Sequence, residues 1–311
     1  MKVNLAGAAK RILERIKMDG DRHVRWVAKV LSETPGERKV VKYRFFPRGR
    51  QGPSRPLFCC VAKFYQDERG KETSRVMEAL SKEHQRPASL LAVPRSLYYD
   101  PGARFAVQQF VEGVPFSELI TLPDSRRYFV LAGKALATLH TRQVPVGEIK
   151  RLSDHLIDLI HPHPLLLAEK IPLYRSRIDW ILKALHEWEE RLVDHRAHAP
   201  IHRDFHLRQL FYGDDRVWLV DWDLFTKGDP ALDVGNFIVY LTTRLPERAS
   251  PFIDAFLEGY FSVQLADLLK RVPLYRAFTF LRLACKRFRL KEEDWEEKVE
   301  GLLLRAERAL R

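Results

Sequence analysis

Apolar and polar positions alternate through the first third of the chain and then shift to a helical period. Val24–Leu31 (VRWVAKVL) and Lys39–Phe46 (KVVKYRFF) are apolar, β-branched runs on either side of ETPGER, where Pro35–Gly36 is turn chemistry. The pattern predicts a hairpin. Arg48–Pro56 (RGRQGPSRP) predicts a loop, and Leu57–Tyr65 (LFCCVAKFY) a third strand with Lys63 inside an otherwise apolar run. Lys71–His84 puts Val76, Met77 and Leu80 on one helical face. Arg104–Phe116 (RFAVQQFVEGVPF) predicts a strand closing on a Gly-Val-Pro turn. Beyond it, Tyr128–Thr141 and residues 151–195 read as helices, the latter interrupted by HPHP (His161–Pro164). There the flanking prolines favour a loop or helix start over a metal-binding pair. Gln209–Asp223 (QLFYGDDRVWLVDWD) predicts a second hairpin turning at Gly213–Asp215, and from Asp229 onward the pattern is helical.

This order predicts an α+β fold of two lobes: a strand-rich N-lobe over 1–110 and a larger helical C-lobe over 111–311, with the boundary near Val111–Pro115. A cleft between such lobes is the expected place for a ligand.

Composition narrows the class. The chain has 311 residues, is 46% hydrophobic and 30% charged, and carries a net charge of +12. No apolar run approaches the roughly 18 residues of a membrane span, and the basic N-terminus lacks a signal peptide's apolar core. Cysteines number 3, two of them the adjacent Cys59 and Cys60, which is neither a disulfide framework nor a zinc spacing. A cytoplasmic protein without membrane partners is expected. The densest basic cluster is Arg282–Arg289 (RLACKRFR), at helical spacing with apolar Phe278, Leu281 and Cys285; it reads as a basic helix face without any accompanying nucleic-acid motif.

Chemistry concentrates in IHRDFHLRQLF (Ile201–Phe211) and in the hairpin that follows. With the bend at 213–215, the apolar return strand ends abruptly in Asp221–Trp222–Asp223, which brings Asp221 back toward the loop carrying Asp204 and Gln209. Converging carboxylate and amide oxygens suit a hard cation such as Mg²⁺, whose remaining ligands are waters and substrate phosphates.

IHRDFHLRQLF, then WLVDWD, then GDPALDVGNF resembles the aminoglycoside phosphotransferase and choline kinase superfamily, small-molecule relatives of protein kinases. That family's pattern is His-x-Asp-x-x-x-x-Asn, a strand ending in Asp, and a downstream Asp; His202, Asp204, Gln209, Asp221 and Asp233 supply it in order. CCVAKFY, KETSRVMEAL, QQFVEGVPF and AGKALATLH extend the resemblance from about residue 24 to at least 240. It implies a protein-kinase-like bilobal fold and an ATP- (or other NTP-) and Mg²⁺-dependent phosphotransferase acting on a small-molecule hydroxyl such as a sugar, amino alcohol or aminoglycoside. By the resemblance, Asp204 takes or orients the hydroxyl proton, and Gln209 and Asp221, with Asp223, hold the metal. Lys63 binds nucleotide phosphates and is held by Glu72, with Glu78 as the alternative, while Gln109 and Val111 form the nucleotide-facing hinge. His206 and Arg203 are candidates for substrate or phosphate contact. His202 and Asp233 support the loop.

Departures leave alternatives open. The turn that should cover the phosphates is SETPGER, not a Gly-rich loop, which leaves phosphate contact to Ser32, Thr34 or the turn's backbone. Arg203 stands where these kinases usually have Gly. Gln209 replaces Asn; it keeps a neutral carbonyl oxygen, and the related bacterial maltokinases resemble this chain in also carrying Gln there. A pseudokinase or nucleotide-binding regulator is the first alternative, and a basic nucleic-acid-binding protein the second. The acceptor and the oligomeric state are not encoded in any motif.

Overall fold

The computed structural model describes residues 3–16, 24–34, 38–47, 55–84, 89–192, 198–264 and 266–311. The Pro35–Gly36 turn and most of the Arg48–Pro56 loop lie outside them. The chain divides into two compact units, Met1–Gly113 with Trp218–Asp223, and Val114–Val217 with Leu224–Arg311.

In the first unit, helix α1 (Leu5–Ile16) precedes strands β1 (Val24–Thr34), β2 (Arg38–Pro47) and β3 (Phe58–Tyr65), helix α2 (Arg69–His84), and strands β4 (Leu91–Ala92), β5 (Ser96–Asp100) and β6 (Phe105–Gln109). Five strands form one sheet in the order β1-β2-β3-β6-β5, with every adjacent pair antiparallel. The first hairpin and the third strand form where the alternation predicts. The predicted strand from Arg104 stops at Gln109, and Val114–Pro115, expected as a turn, forms a separate short strand. Helix α1 is not among the elements expected above, although Leu5, Ala8, Ala9, Ile12, Leu13 and Ile16 recur at helical spacing. It lays Ala8, Ala9 and Ile12 against Tyr43, Cys60 and Val107 of the sheet, and the Tyr43 hydroxyl donates to the Leu5 carbonyl (3.2 Å).

The second unit contains β7 (Val114–Pro115), α3 (Phe116–Leu119), α4 (Ser125–His140), α5 (Leu152–Leu159), α6 (Pro164–Lys170), α7 (Arg175–Leu192), β8 (Ala199–Ile201), β9 (Leu210–Gly213), β11 (Thr226–Gly228), α8 (Ala231–Arg244), α9 (Ala249–Phe261), α10 (Val272–Leu290) and α11 (Trp295–Leu310); β10 (Arg216–Leu219) leads out of it. Asp214 and Asp215 at the tip between β9 and β10 have φ of 52° and 55°. Successive left-handed residues of this kind match the twist of a tight hairpin. His163 of HPHP caps α6, its Nδ1 accepting from the Leu165 N–H at 3.3 Å, so this histidine serves a helix start. No described helix is long and apolar enough to cross a membrane.

Helices α4 and α9 touch backbone to backbone. A Cβ at Gly133 would lie 2.0 Å from the Phe256 carbonyl oxygen, and one at Gly259 would lie 2.0 Å from that of Val130. Neither obstacle is a flexible side chain, so both positions need glycine. Gly259→Ala is expected to lower stability by about 1–3 kcal/mol or more, the range for overpacking a closed interior. A urea midpoint equal to wild type would show that the helices do not cross this closely.

Candidate active site

The second unit builds its catalytic-loop candidate on a buried carboxylate. Asp233, fully buried in the first turn of α8, accepts from the backbone N–H of His202 (2.6 Å) and of Arg203 (2.7 Å). Its Oδ2 also meets His140 Nε2 (3.2 Å), and His140 Nδ1 meets the Tyr260 hydroxyl (2.7 Å). With the ring proton on Nε2, the imidazole donates to Asp233 and accepts from Tyr260, which satisfies all three groups. The close α4–α9 crossing therefore sets His140 and Tyr260, these set Asp233, and Asp233 sets the loop. Asn236, also buried, donates from Nδ2 to the Arg203 carbonyl (2.9 Å) and accepts from the Thr279 hydroxyl (2.5 Å).

Arg203 corrects an expectation. It is 4% exposed, and its guanidinium donates to Asp158 (3.0 Å), so the side chain points into the unit and supports the loop instead of meeting a ligand. Its φ of 67° explains why a glycine suits this position: the chain here takes a left-handed turn that side chains rarely adopt. His155 packs nearby, fully buried, with neither ring nitrogen hydrogen-bonded. Burial, then the positive charge of Arg203, pushes it from 6.5 down to about 3. Below its unfolded value the unfolded chain takes up a proton that the folded chain refuses, so the contribution of His155 is complete above about pH 6.5 and is lost as pH falls toward 3. The expected slope from this group is about 1.4 kcal/mol per pH unit. Urea midpoints of wild type and His155→Phe should diverge as pH falls through that window; parallel curves would reject the assignment.

Asp204 follows, half-buried. Arg282 donates from Nη2 to its Oδ1 (3.2 Å) and from Nη1 to the Arg203 carbonyl (3.1 Å). Gln209 reaches Oδ2 through Nε2 (3.4 Å), and so does His206 Nε2 (3.4 Å). His206 Nδ1 accepts from the Arg208 N–H (3.2 Å), which leaves the ring proton on Nε2, facing Asp204. Burial works against the Asp204 charge, but the His206 hydrogen bond and the positive charge of Arg282 outweigh it and hold the carboxyl well below its usual range. His202 is fully buried, in keeping with a supporting place.

In the first unit, Asp221 and Asp223 converge on two cations. Lys63, 4% exposed, donates to Asp221 (2.6 Å) and Asp223 (3.0 Å). Arg38 donates to Asp221 through both terminal nitrogens (2.8 and 3.3 Å) and also to Asp223, and the Tyr65 hydroxyl donates to Asp223 (3.0 Å). For Asp221, burial is outweighed by Lys63 and then Arg38, and the carboxyl lies below its usual range; the same pairs raise Lys63 and Arg38 against burial.

The expected Lys63–Glu72 pair does not form. Glu72 is exposed on α2 and pairs with Arg75 (3.3 Å), and Glu78 pairs with Lys82 (2.7 Å). Lysine 63 gains its partners from a distant part of the chain, where two carboxylates outcompete a single helix-surface glutamate. Arg38 and Tyr65 were missed. Their signal is register: Arg38 faces Tyr65, and Val40 faces Lys63, which puts Arg38, Lys63 and Tyr65 on one sheet face. Gln109 turns its amide oxygen to the Arg95 N–H (3.3 Å), and Val111 is buried. The Arg282–Arg289 cluster is not a continuous exposed stripe: Arg282 binds Asp204, and Arg287 pairs with Glu292.

Among the described residues no group of three or more His, Cys, Asp or Glu could hold a metal. Asp221 and Asp223 nonetheless share one ammonium, so they fit a cation. A pair of carboxylates suits an ion that draws its other ligands from water and phosphate.

Several known proteins are similar. A LicA homolog from Metamycoplasma hominis is 24% identical over 156 residues, 49% of this chain and 56% of that protein, so the chain spans about half the length of the curated relative it matches. A choline/ethanolamine kinase family protein from Mesorhizobium loti superposes with a TM-score of 0.63 at 16% identity, covering 97% of this chain and 95% of the other. Aminoglycoside phosphotransferase APH(4)-Ia, in ternary complex with ADP and hygromycin B, gives 0.63 at 14% identity, covering 97% of each chain. These likenesses show the expected kinase-like fold, with its strand-rich N-terminal sheet and helical C-terminal part. The phosphotransferase enzyme family model matches residues 50–274, and the chain belongs to that family.

Proposed function

We propose that the protein transfers the γ-phosphate of ATP to a hydroxyl of a small molecule, with Mg²⁺ as cofactor. The observation that carries this reading is Asp204: a carboxylate held ionised by Arg282 and His206, on a loop whose backbone is fixed by Asp233. Asp204 accepts the hydroxyl proton as the acceptor oxygen bonds to the γ-phosphorus and the bond to the β-phosphate oxygen breaks. Arg282 and His206 orient Asp204 and keep it unprotonated at neutral pH. Lys63 binds nucleotide phosphates. Asp221 and Asp223 would hold Mg²⁺; when bound, the ion neutralises phosphate charge. Gln109 and Val111 face the nucleotide. The acceptor classes this reading admits are sugars, amino alcohols and aminoglycoside-like compounds.

A second reading, a nucleotide-binding regulator without turnover, is favoured by Arg38, which occupies the same carboxylates as Lys63. Phosphate transfer from Mg·ATP to a panel of sugars, amino alcohols, aminoglycosides and nucleosides separates the two, with Asp204→Asn as the blank. If neither transfer nor ATP hydrolysis exceeds the blank, the kinase reading fails.

A further inference from the structure

Asp204 sits in the wall of a cavity of about 380 Å³ that lies within the second unit. That volume is at the small end of ligand sites, which run from roughly 300 to 1,000 Å³. Four cationic side chains line it, Arg208, Arg244, Arg282 and Lys286, against the single carboxylate of Asp204. Arg282 is committed to Asp204. Among the described residues no carboxylate forms an ion pair with Arg208, Arg244 or Lys286, which leaves three positive charges around the space.

Arg208, Arg244 and Lys286 are solvent-exposed, yet they converge on one space from three elements. Arg282 and Lys286 are one turn apart on α10 and share a face. Arg244 comes from the last turn of α8, and Arg208 from the 3-10 turn at Leu207–Gln209. These cations strain one another. Lys286 holds its proton less tightly than usual through burial and then through Arg282, Arg289 and Arg287, despite the pull of Asp204. Arg244 shifts the same way, through burial and then Arg208 and Arg287. Chains ordinarily interleave carboxylates among such groups. Here the balancing charge is not supplied from within the fold, and a ligand that brings it gains the interaction.

We infer that the acceptor is an anion: a hydroxyl compound already bearing a phosphate or carboxylate group, seated with its hydroxyl at Asp204 and its charge among Arg208, Arg244 and Lys286. This inference rests on the kinase reading above and narrows it, since amino alcohols and aminoglycosides are cations that would meet net repulsion here. The Arg282–Arg289 cluster thereby acquires a purpose that needs no nucleic acid: part of it faces the acceptor.

The test uses matched sets on the full chain with Mg·ATP: glucose against glucose 6-phosphate and gluconate, glycerol against glycerol phosphate and glycerate, with choline and an aminoglycoside as the cationic arm. At least one anionic member is expected to exceed its neutral counterpart in kcat/KM by about tenfold or more, the scale of a charge-assisted contact. The phosphate and carboxylate members tell the two chemistries apart. The preference should shrink with added salt. In Arg244→Gln and in Lys286→Gln the anion's KM should rise while its kcat holds and the neutral partner's KM stays put, with circular dichroism verifying the fold. Asp204-dependent transfer that favours neutral or cationic acceptors overturns the inference and leaves the kinase reading standing. Should no acceptor be phosphorylated, calorimetry of the same compounds decides: anion binding lost in Arg244→Gln keeps an anion-binding cavity and sinks the kinase reading, whereas no anion binding sinks the inference.

Discussion

Asp204→Asn is expected to lower phosphoryl transfer by about 10²–10⁴-fold, the usual worth of a positioned general base. Asparagine has the same shape and keeps one oxygen for Arg282, although its N–H₂ then faces His206; the loop is anchored separately by Asp233, so it should hold and melting should stay close to wild type. What disappears is the negative charge that Arg282 and His206 sustain at neutral pH. Nucleotide binding through Lys63 should survive, since that lysine makes its contacts with Asp221 and Asp223. The measurement is initial-rate transfer alongside nucleotide affinity. Loss of affinity in step with loss of rate would mean that Asp204 shapes the site without serving the transfer.

Asp233→Ala should be the most damaging substitution for stability, by about 3–5 kcal/mol, because three buried donors lose their acceptor together. The N–H groups of His202 and Arg203 and the ring of His140 all point at this carboxylate. Each stranded buried donor costs on the order of 1–3 kcal/mol, and water entering the space recovers part of it. Activity should vanish with the loop geometry. Asp233→Asn separates the effects: it retains one acceptor oxygen but sets an N–H₂ against an N–H, so it should fold better than the alanine variant and still turn over poorly. Urea unfolding and transfer rates on both variants test this, and an alanine variant as stable as wild type would refute the anchoring role.

These two aspartates also show how much the sequence discloses. Asp204 and Asp233 are picked out by the family resemblance, whose motifs set fixed residue types in a fixed order. Lys63 is legible because a lysine inside an apolar strand needs a partner. Which partner is another matter. Glu72 satisfies the order of residues but sits on an exposed helix face, whereas the actual partners are 158 and 160 residues away along the chain. Arg203 misleads for a local reason: beside a catalytic loop an arginine suggests a ligand contact, yet a left-handed backbone turns its side chain inward onto Asp158. The strands and most helices follow their apolar periods. Helix α1 is legible too: Leu5, Ile12 and Ile16 share its buried face with Ala8 and Ala9 at helical spacing, a signal overlaid by the basic residues between them. The lining of the cavity beside Asp204 was invisible for the same reason as Arg38: its members come from α8, α10 and the 3-10 turn, and only tertiary folding gathers them.

Arg38 gives the first unit a resident counter-ion. Two adjacent carboxylates and one lysine would leave an uncompensated charge in a poorly hydrated place, and a fold built that way would depend on an ion from solution to hold its shape. With the guanidinium in position the acids are already balanced from within the chain. On the kinase reading proposed above, a metal nucleotide arriving here would exchange one cation for another instead of filling a gap.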